Sequence, residues 1–241
     1  MSGLRVTLLE LPAIWGEPLR QLARVEEELQ RKPPGDLVLL PEAALTGYAA
    51  PDLCCDLSLQ AEPLGGRTSQ ALSALAREHG CAVVGPLIER AGPAAFNALV
   101  GFTADGAQFL HYRKRHTWYP EVWATPGEAP HPQVRLGAFM LTAAICFDVH
   151  FLEEEAADVL STSDVLLFPS AWVDEADARP AQLSGLARRF GLCIANANWG
   201  PGLPRLRGQG GSMAVDAAGS VIARLSEGQT RLDVELQRRR P

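Results

Sequence analysis

Short apolar runs alternate with amphipathic helical stretches along all 241 residues, and no linker separates one part from another. Leu4–Leu11 reads as a strand, and Pro18–Arg31 as a helix with Leu19, Leu22, Val25 and Leu29 on one face. Leu37–Leu40 is a short buried strand. A helix over Thr68–Gly80 follows, with Thr68 as its N-cap, Leu72 and Leu75 facing inward and Gly80 as its stop. Cys81–Ile88, Phe96–Phe102 and Ala107–Tyr112 read as three successive strands, the last two joined by a turn at Ala104–Gly106. Residues 113–133 form a long irregular stretch with four prolines and both Trp118 and Trp123, and its aromatic content predicts the wall of a site.

Strand and helix resume in the second half. The pattern predicts a strand at Phe139–Ile145, a helix near Leu152–Leu160 and a strand at Val165–Phe168. A helix at Pro180–Phe190 and a strand at Leu192–Asn198 come next. Gly211–Val215 and Ser220–Ala223 form a hairpin, and Arg231–Leu236 a last strand. No Ser/Gly tract, repeat or composition break appears, so residues 1–241 are read as a single domain of mixed α/β layers.

Composition narrows the function classes. Hydrophobic residues make up 47% and charged residues 21%, as in ordinary soluble domains, and no apolar run is long enough to span a bilayer. A net charge of −6 argues against nucleic acid or an anionic membrane as a partner, and the basic groups at Arg113–Arg115 and Arg238–Arg240 are too small for a binding stripe. Five cysteines form no CxxC pair and no Cys/His ligand spacing, so no metal site is expected. An odd cysteine count, with no charged segment and apolar run at Met1–Val6, leads us to expect a cytoplasmic protein.

Three reactive residues sit just past apolar runs. Glu42 closes Leu37–Glu42, Lys114 follows Phe109–Arg113, and Cys146 ends Leu141–Cys146. Each has an ordinary alternative: a helix-terminal acid, a surface lysine, a small buried hydrophobe. Cys81 and Cys193 take that last reading. Cys146 differs because it ends its strand and meets Phe147–His150 before the next helix, a position that exposes a side chain and offers backbone N–H groups to an oxyanion. Together the three supply a base, a cation and a nucleophile, as amide hydrolysis through a thioester requires.

These segments carry a family resemblance. Leu39–Tyr48, Tyr112–His116 and Ala144–Asp148 resemble the glutamate, lysine and cysteine motifs of the nitrilase superfamily of carbon–nitrogen hydrolases, in the same order. Pro126–Gly127, Pro169–Trp172, Ala195–Asn198 and Gly211–Gly219 extend the likeness over nearly the whole chain. The resemblance implies a four-layer αββα sandwich with Glu42 as base, Lys114 as stabiliser of thiolate and oxyanion, and Cys146 as nucleophile. It also implies a second glutamate after the lysine, for which Glu121 is the candidate and Glu128 the alternative. Tyr48, Phe147, His150 and Trp172 fall where substrate-facing residues would sit. No metal or organic cofactor is implied, and a homodimer or larger homo-oligomer is.

Two departures concern the substrate. Where the family commonly carries Arg-Phe-Pro-Glu after the aspartate, this chain has Val149–Glu153, and Leu186–Gly191 lacks the family's Arg-Ala-x-Glu-Asn pattern. Leu45–Tyr48 with Pro51–Leu53 resembles the amidase and glutaminase branches. With no synthetase domain before Pro241, a stand-alone amidase acting on a small non-peptide amide is expected. An N-carbamoyl hydrolase, a nitrilase, a redox-sensing thiol protein and a non-catalytic scaffold with the same fold remain alternatives.

Overall fold

The computed structural model describes residues 3–174 and 176–239, so Arg240 of the C-terminal basic group lies outside it. Thirteen strands form two sheets among the described residues. The first sheet joins β1 (Leu4–Leu9), β2 (Leu37–Leu39), β4 (Ala82–Ala91), β5 (Ala94–Phe102) and β6 (Gln108–Arg113) to β13 (Arg231–Leu236), in the order β13-β1-β2-β4-β5-β6. A two-residue β3 (Glu62–Pro63) pairs with the end of β4. The second sheet has the order β12-β11-β10-β9-β8-β7. Its strands are β7 (Gln133–Leu136), β8 (Phe139–Ala143), β9 (Val165–Ser170), β10 (Cys193–Asn198), β11 (Met213–Val215) and β12 (Val221–Arg224).

Both sheets repeat one pattern of strand directions. From β13, and equally from β7, neighbouring strands pair antiparallel, parallel, parallel, antiparallel and antiparallel. Each sheet therefore has a parallel centre, and the carboxyl ends of parallel strands are where open α/β sheets place their ligands. Here those ends carry Glu42 after β2 and Cys146 after β8.

The two sheets pack face to face over Val6, Leu8, Leu39, Val84 and Leu99 of one and Leu141, Ile145, Val165, Leu167 and Ala195 of the other. Helices cover the outer faces. On the first sheet, α1 (Pro18–Arg31) and α2 (Arg67–His79) bury Leu22, Val25, Leu29, Leu72 and Leu75 against Val38, Leu40 and Val83. Each such leucine contributes roughly 1.5–3 kcal/mol on leaving water. On the second, α3 (Leu152–Glu155), α4 (Ala157–Thr162) and α5 (Arg179–Phe190) cover Leu166, Phe168 and Ile194. The result is the αββα sandwich expected.

Several local expectations are corrected. Leu19 lies on the first turn of α1 and is exposed rather than packed. The N-cap of α2 is Gly66, not Thr68, whose N–H instead donates to Glu62 Oε1 at 2.9 Å. The stretch predicted as one helix near Leu152–Leu160 is broken at Ala156, which leaves the helical region at φ −129°, ψ 13°. Among the described residues, no helix is long and apolar enough to cross a membrane.

Candidate active site

β5 runs antiparallel to β4 and places Asn97 opposite Ile88, four residues past Val84, the partner of Leu39 at the end of β2. β6 returns beside it, with Ala98 opposite Arg113, which sets Lys114 next to Asn97; the Lys114 N–H donates to the Asn97 carbonyl at 2.8 Å. Strand pairing therefore gathers Glu42, Asn97 and Lys114 at one level, though 72 residues separate the first from the last.

The side chains close a buried ring. Lys114 Nζ donates to Glu42 Oε1 at 2.7 Å and to Glu121 Oε2 at 2.6 Å. Asn97 Nδ2 donates to Glu42 Oε1 at 2.8 Å and to Glu121 Oε1 at 2.6 Å. Glu42, Asn97, Lys114 and Glu121 are all buried, with side-chain exposures of 0–1% for the three charged residues. Glu121 is aimed inward by a tight turn: its carboxylate accepts the Trp118 N–H at 2.6 Å while its own N–H donates to the Trp118 carbonyl. Glu128 is exposed, so Glu121 is the second glutamate of the ring.

The second sheet contributes from across the interface. The Ala171 N–H, just past β9, donates to Glu42 Oε2 at 2.8 Å. Asn198 Oδ1 holds that turn by accepting from Ser170 Oγ at 2.9 Å and Trp172 N–H at 3.0 Å. Cys146 opens a short 3-10 turn, Cys146–His150, with φ +43°, a left-handed conformation that costs a non-glycine residue of order 1–3 kcal/mol. Asp148 holds this turn. Its Oδ2 accepts from the Ile145 N–H at 2.9 Å and the Tyr112 hydroxyl at 2.8 Å, and its Oδ1 from the Arg115 and His116 N–H groups at 3.2 and 2.9 Å.

Electrostatics follow from burial and these contacts. Burial pushes the Cys146 thiol well up, and Glu42 pushes it further, against the pull of Lys114 and the Ala171 N–H. The resting sulfur is thus a neutral thiol beside a carboxylate. For Lys114, burial disfavours the cation, but Glu42 and then Glu121 outweigh it and hold the ammonium above its usual range. Burial raises Glu121, and Glu42 raises it too, against Lys114. Burial and the Glu42 charge likewise keep the Tyr48 hydroxyl protonated.

A cavity of about 650 Å³ opens beside the ring, its walls including Tyr48, Leu53, Cys55, Trp118, Tyr119 and Arg205. Both Trp118, whose N–H holds Glu121, and Tyr48 belong to this wall, so the irregular 113–133 stretch does form part of the site. Cys146 is partly exposed. Phe147 is half-buried, with its ring edge-on to His150 and Phe151 at 5.0 and 5.9 Å. His150 lies in a separate surface groove with Glu153, Gln182 and Arg189, where Gln182 approaches its Nδ1 at 3.2 Å. Trp172 packs its ring among the α5 side of the second sheet, with Phe168 and Leu183. None of Cys146, Phe147, His150 and Trp172 is among the residues lining the cavity.

Sequence reading missed Asn97 and the clamp made by Asp148. The only signal for Asn97 was a lone amide inside the apolar strand Phe96–Phe102.

A family model described as carbon-nitrogen hydrolase matches residues 13–240. The deaminated glutathione amidase of Homo sapiens is 30% identical over 213 residues, 80% of this chain and 64% of its own length. The chain thus spans just under two thirds of that relative. An (R)-stereoselective amidase from Pseudomonas sp is 29% identical over 204 residues, covering 83% of this chain and 73% of that one. Among solved structures, an amidase from Nesterenkonia sp. superposes with a TM-score of 0.85 at 25% identity, over 98% of this chain and 91% of the other.

Proposed function

The chain belongs to the carbon–nitrogen hydrolase family, and from that premise we propose that it is a cysteine-dependent amidase cleaving a small non-peptide amide through a thioester. The observation that carries this reading is the buried Glu42–Lys114–Glu121 ring with Cys146 beside it.

The Cys146 thiol gives its proton to Glu42 as the sulfur adds to the amide carbonyl. Oε2 of Glu42 is the accepting atom: it takes one N–H, from Ala171, whereas Oε1 is already engaged by Lys114 and Asn97. Lys114 stays cationic and offsets the charge developing on sulfur and then on the tetrahedral oxygen, and the Phe147 N–H adds a second donor. Glu42 returns its proton to the nitrogen as the C–N bond breaks, releasing ammonia or an amine and leaving an acyl-cysteine. Water then adds to the thioester, with Glu42 accepting its proton, and the carboxylic acid leaves as the thiol is restored. Glu121 holds the far side of the ammonium, so Lys114 cannot swing away with the departing group.

The 650 Å³ cavity falls within the range of small-molecule sites, and Tyr48 and Trp118 on its wall adjoin the ring. Assembly into a homodimer or larger homo-oligomer belongs to the same reading and is checked by sedimentation.

Ammonia release from a panel of small amides, glutamine, carbamoyl amines and nitriles, with Cys146→Ala alongside, tests the reaction. Release from an amide class that vanishes in the variant supports it. Release confined to nitriles or carbamoyl compounds, or none at all, contradicts it.

A further inference from the structure

We propose that Asn97 is a positioning residue that sets the basicity of Glu42 by spreading one amide group over both carboxylates of the ring. Its Nδ2 supplies two hydrogen bonds, at 2.8 Å to Glu42 and 2.6 Å to Glu121, and so donates both of its N–H bonds to anions. The amide can sit only this way round, since the reverse would aim Oδ1 at two carboxylate oxygens at the same distances. The consequence is an Oδ1 that is buried with no hydrogen-bond partner among the described residues. A buried acceptor left unpaired costs about 1–3 kcal/mol. A strand residue chosen for stability alone would avoid that cost, which makes the donor side of the amide the feature retained.

The charge balance explains what the donor does. Two carboxylates share one ammonium, from Lys114, and the groups facing them are the Cys146 thiol and the Tyr48 hydroxyl. The ring is one negative charge in excess before the thiol gives up a proton. Without Asn97, that excess is left to Lys114 and to single N–H groups from Ala171 and Trp118, and the acids of the ring hold their protons more tightly. Glu42 would then lose one of the two donors on its Oε1, and Cys146 would ionise at higher pH. Asn97 is not among the residues lining the cavity, and its side chain donates to Glu42 and Glu121, so it acts through those two carboxylates.

This inference rests on the amidase reading for its catalytic meaning, but not for its test. The test is the pH dependence of Cys146 alkylation by iodoacetamide, followed by peptide mass mapping in the intact chain, which needs no substrate. Asn97→Leu keeps the volume and removes the donor. Asn97→Asp keeps the shape and replaces the donor with a third acid. The alkylation midpoint should move up by about one pH unit in Asn97→Leu and further in Asn97→Asp. If an amide substrate is in hand, the acid limb of kcat/KM should move up with it while KM changes little. A merely structural role lowers the melting temperature and leaves the midpoint in place. Midpoints within about 0.3 pH unit of the parent in both variants overturn the proposal. Should the leucine variant not fold, the isosteric aspartate variant decides alone. Absence of amide turnover in the parent protein, with a shifted midpoint in the variants, would count against the amidase reading and not against this one.

Discussion

The Tyr112 hydroxyl donates to Asp148 Oδ2 at 2.8 Å, tying the strand that delivers Lys114 to the turn that carries Cys146. The same carboxylate takes three backbone N–H groups, from Ile145, Arg115 and His116. Cation and nucleophile are thus set at a fixed separation by one buried aspartate. Asp148→Asn puts a donor where donors already point, and it should cost about 2–4 kcal/mol of stability and at least tenfold in turnover. Tyr112→Phe, which deletes one of four bonds, should cost about 1 kcal/mol. Urea melts of the two variants check this, and equal losses would show that Asp148 is not the clamp.

Lys114 separates two buried carboxylates, so removing its charge leaves both without a counter-charge. Lys114→Met should cost about 3–5 kcal/mol at neutral pH. The sign of its pH dependence follows directly. With the cation gone, burial and the Glu42 charge raise Glu121 without the opposing pull of Lys114, so the folded state binds a proton first and stability recovers as pH falls. Melting temperatures from pH 8 to 5 should rise for the variant. A fall over that range would contradict the arrangement.

Glu89 behaves in the opposite sense. Burial alone would raise it, but Arg113 donates at 2.5 and 3.0 Å and His111 approaches at 2.7 Å, and together they bring it down to about 2. A depressed carboxylate contributes stability that is full above its ordinary value near 4.5 and is lost as pH falls toward 2. Glu89→Gln should cost about 1–3 kcal/mol at pH 7 and flatten the acid side of the stability curve. Acid titration followed by circular dichroism measures that slope, and an unchanged slope would rule out Glu89 as its source.

Much of this could be read from the chain because its signals are local. The helix Pro18–Arg31 and the strand Arg231–Leu236 stand where apolar spacing puts them, and Glu42, Lys114 and Cys146 were visible because each follows a strand. What escaped depends on contacts distant in sequence. β7 alternates exposed and half-buried residues and becomes a strand only by pairing with β8. Asn97 looks like a misplaced polar residue until the register of β5 and β6 sets it beside Lys114. Nor does any spacing show that β13 returns from the end of the chain to pair with β1.

The account turns on a covalent bond at one sulfur. Rapid quenching of the protein with a turned-over amide, followed by intact mass and peptide mapping, reads that bond directly. We predict an added mass equal to the amide less ammonia or its amine, located on Cys146 and absent in Cys146→Ala, which should melt within a few degrees of the parent. An adduct on Cys54, Cys55, Cys81 or Cys193, or turnover that survives in Cys146→Ala, would contradict it.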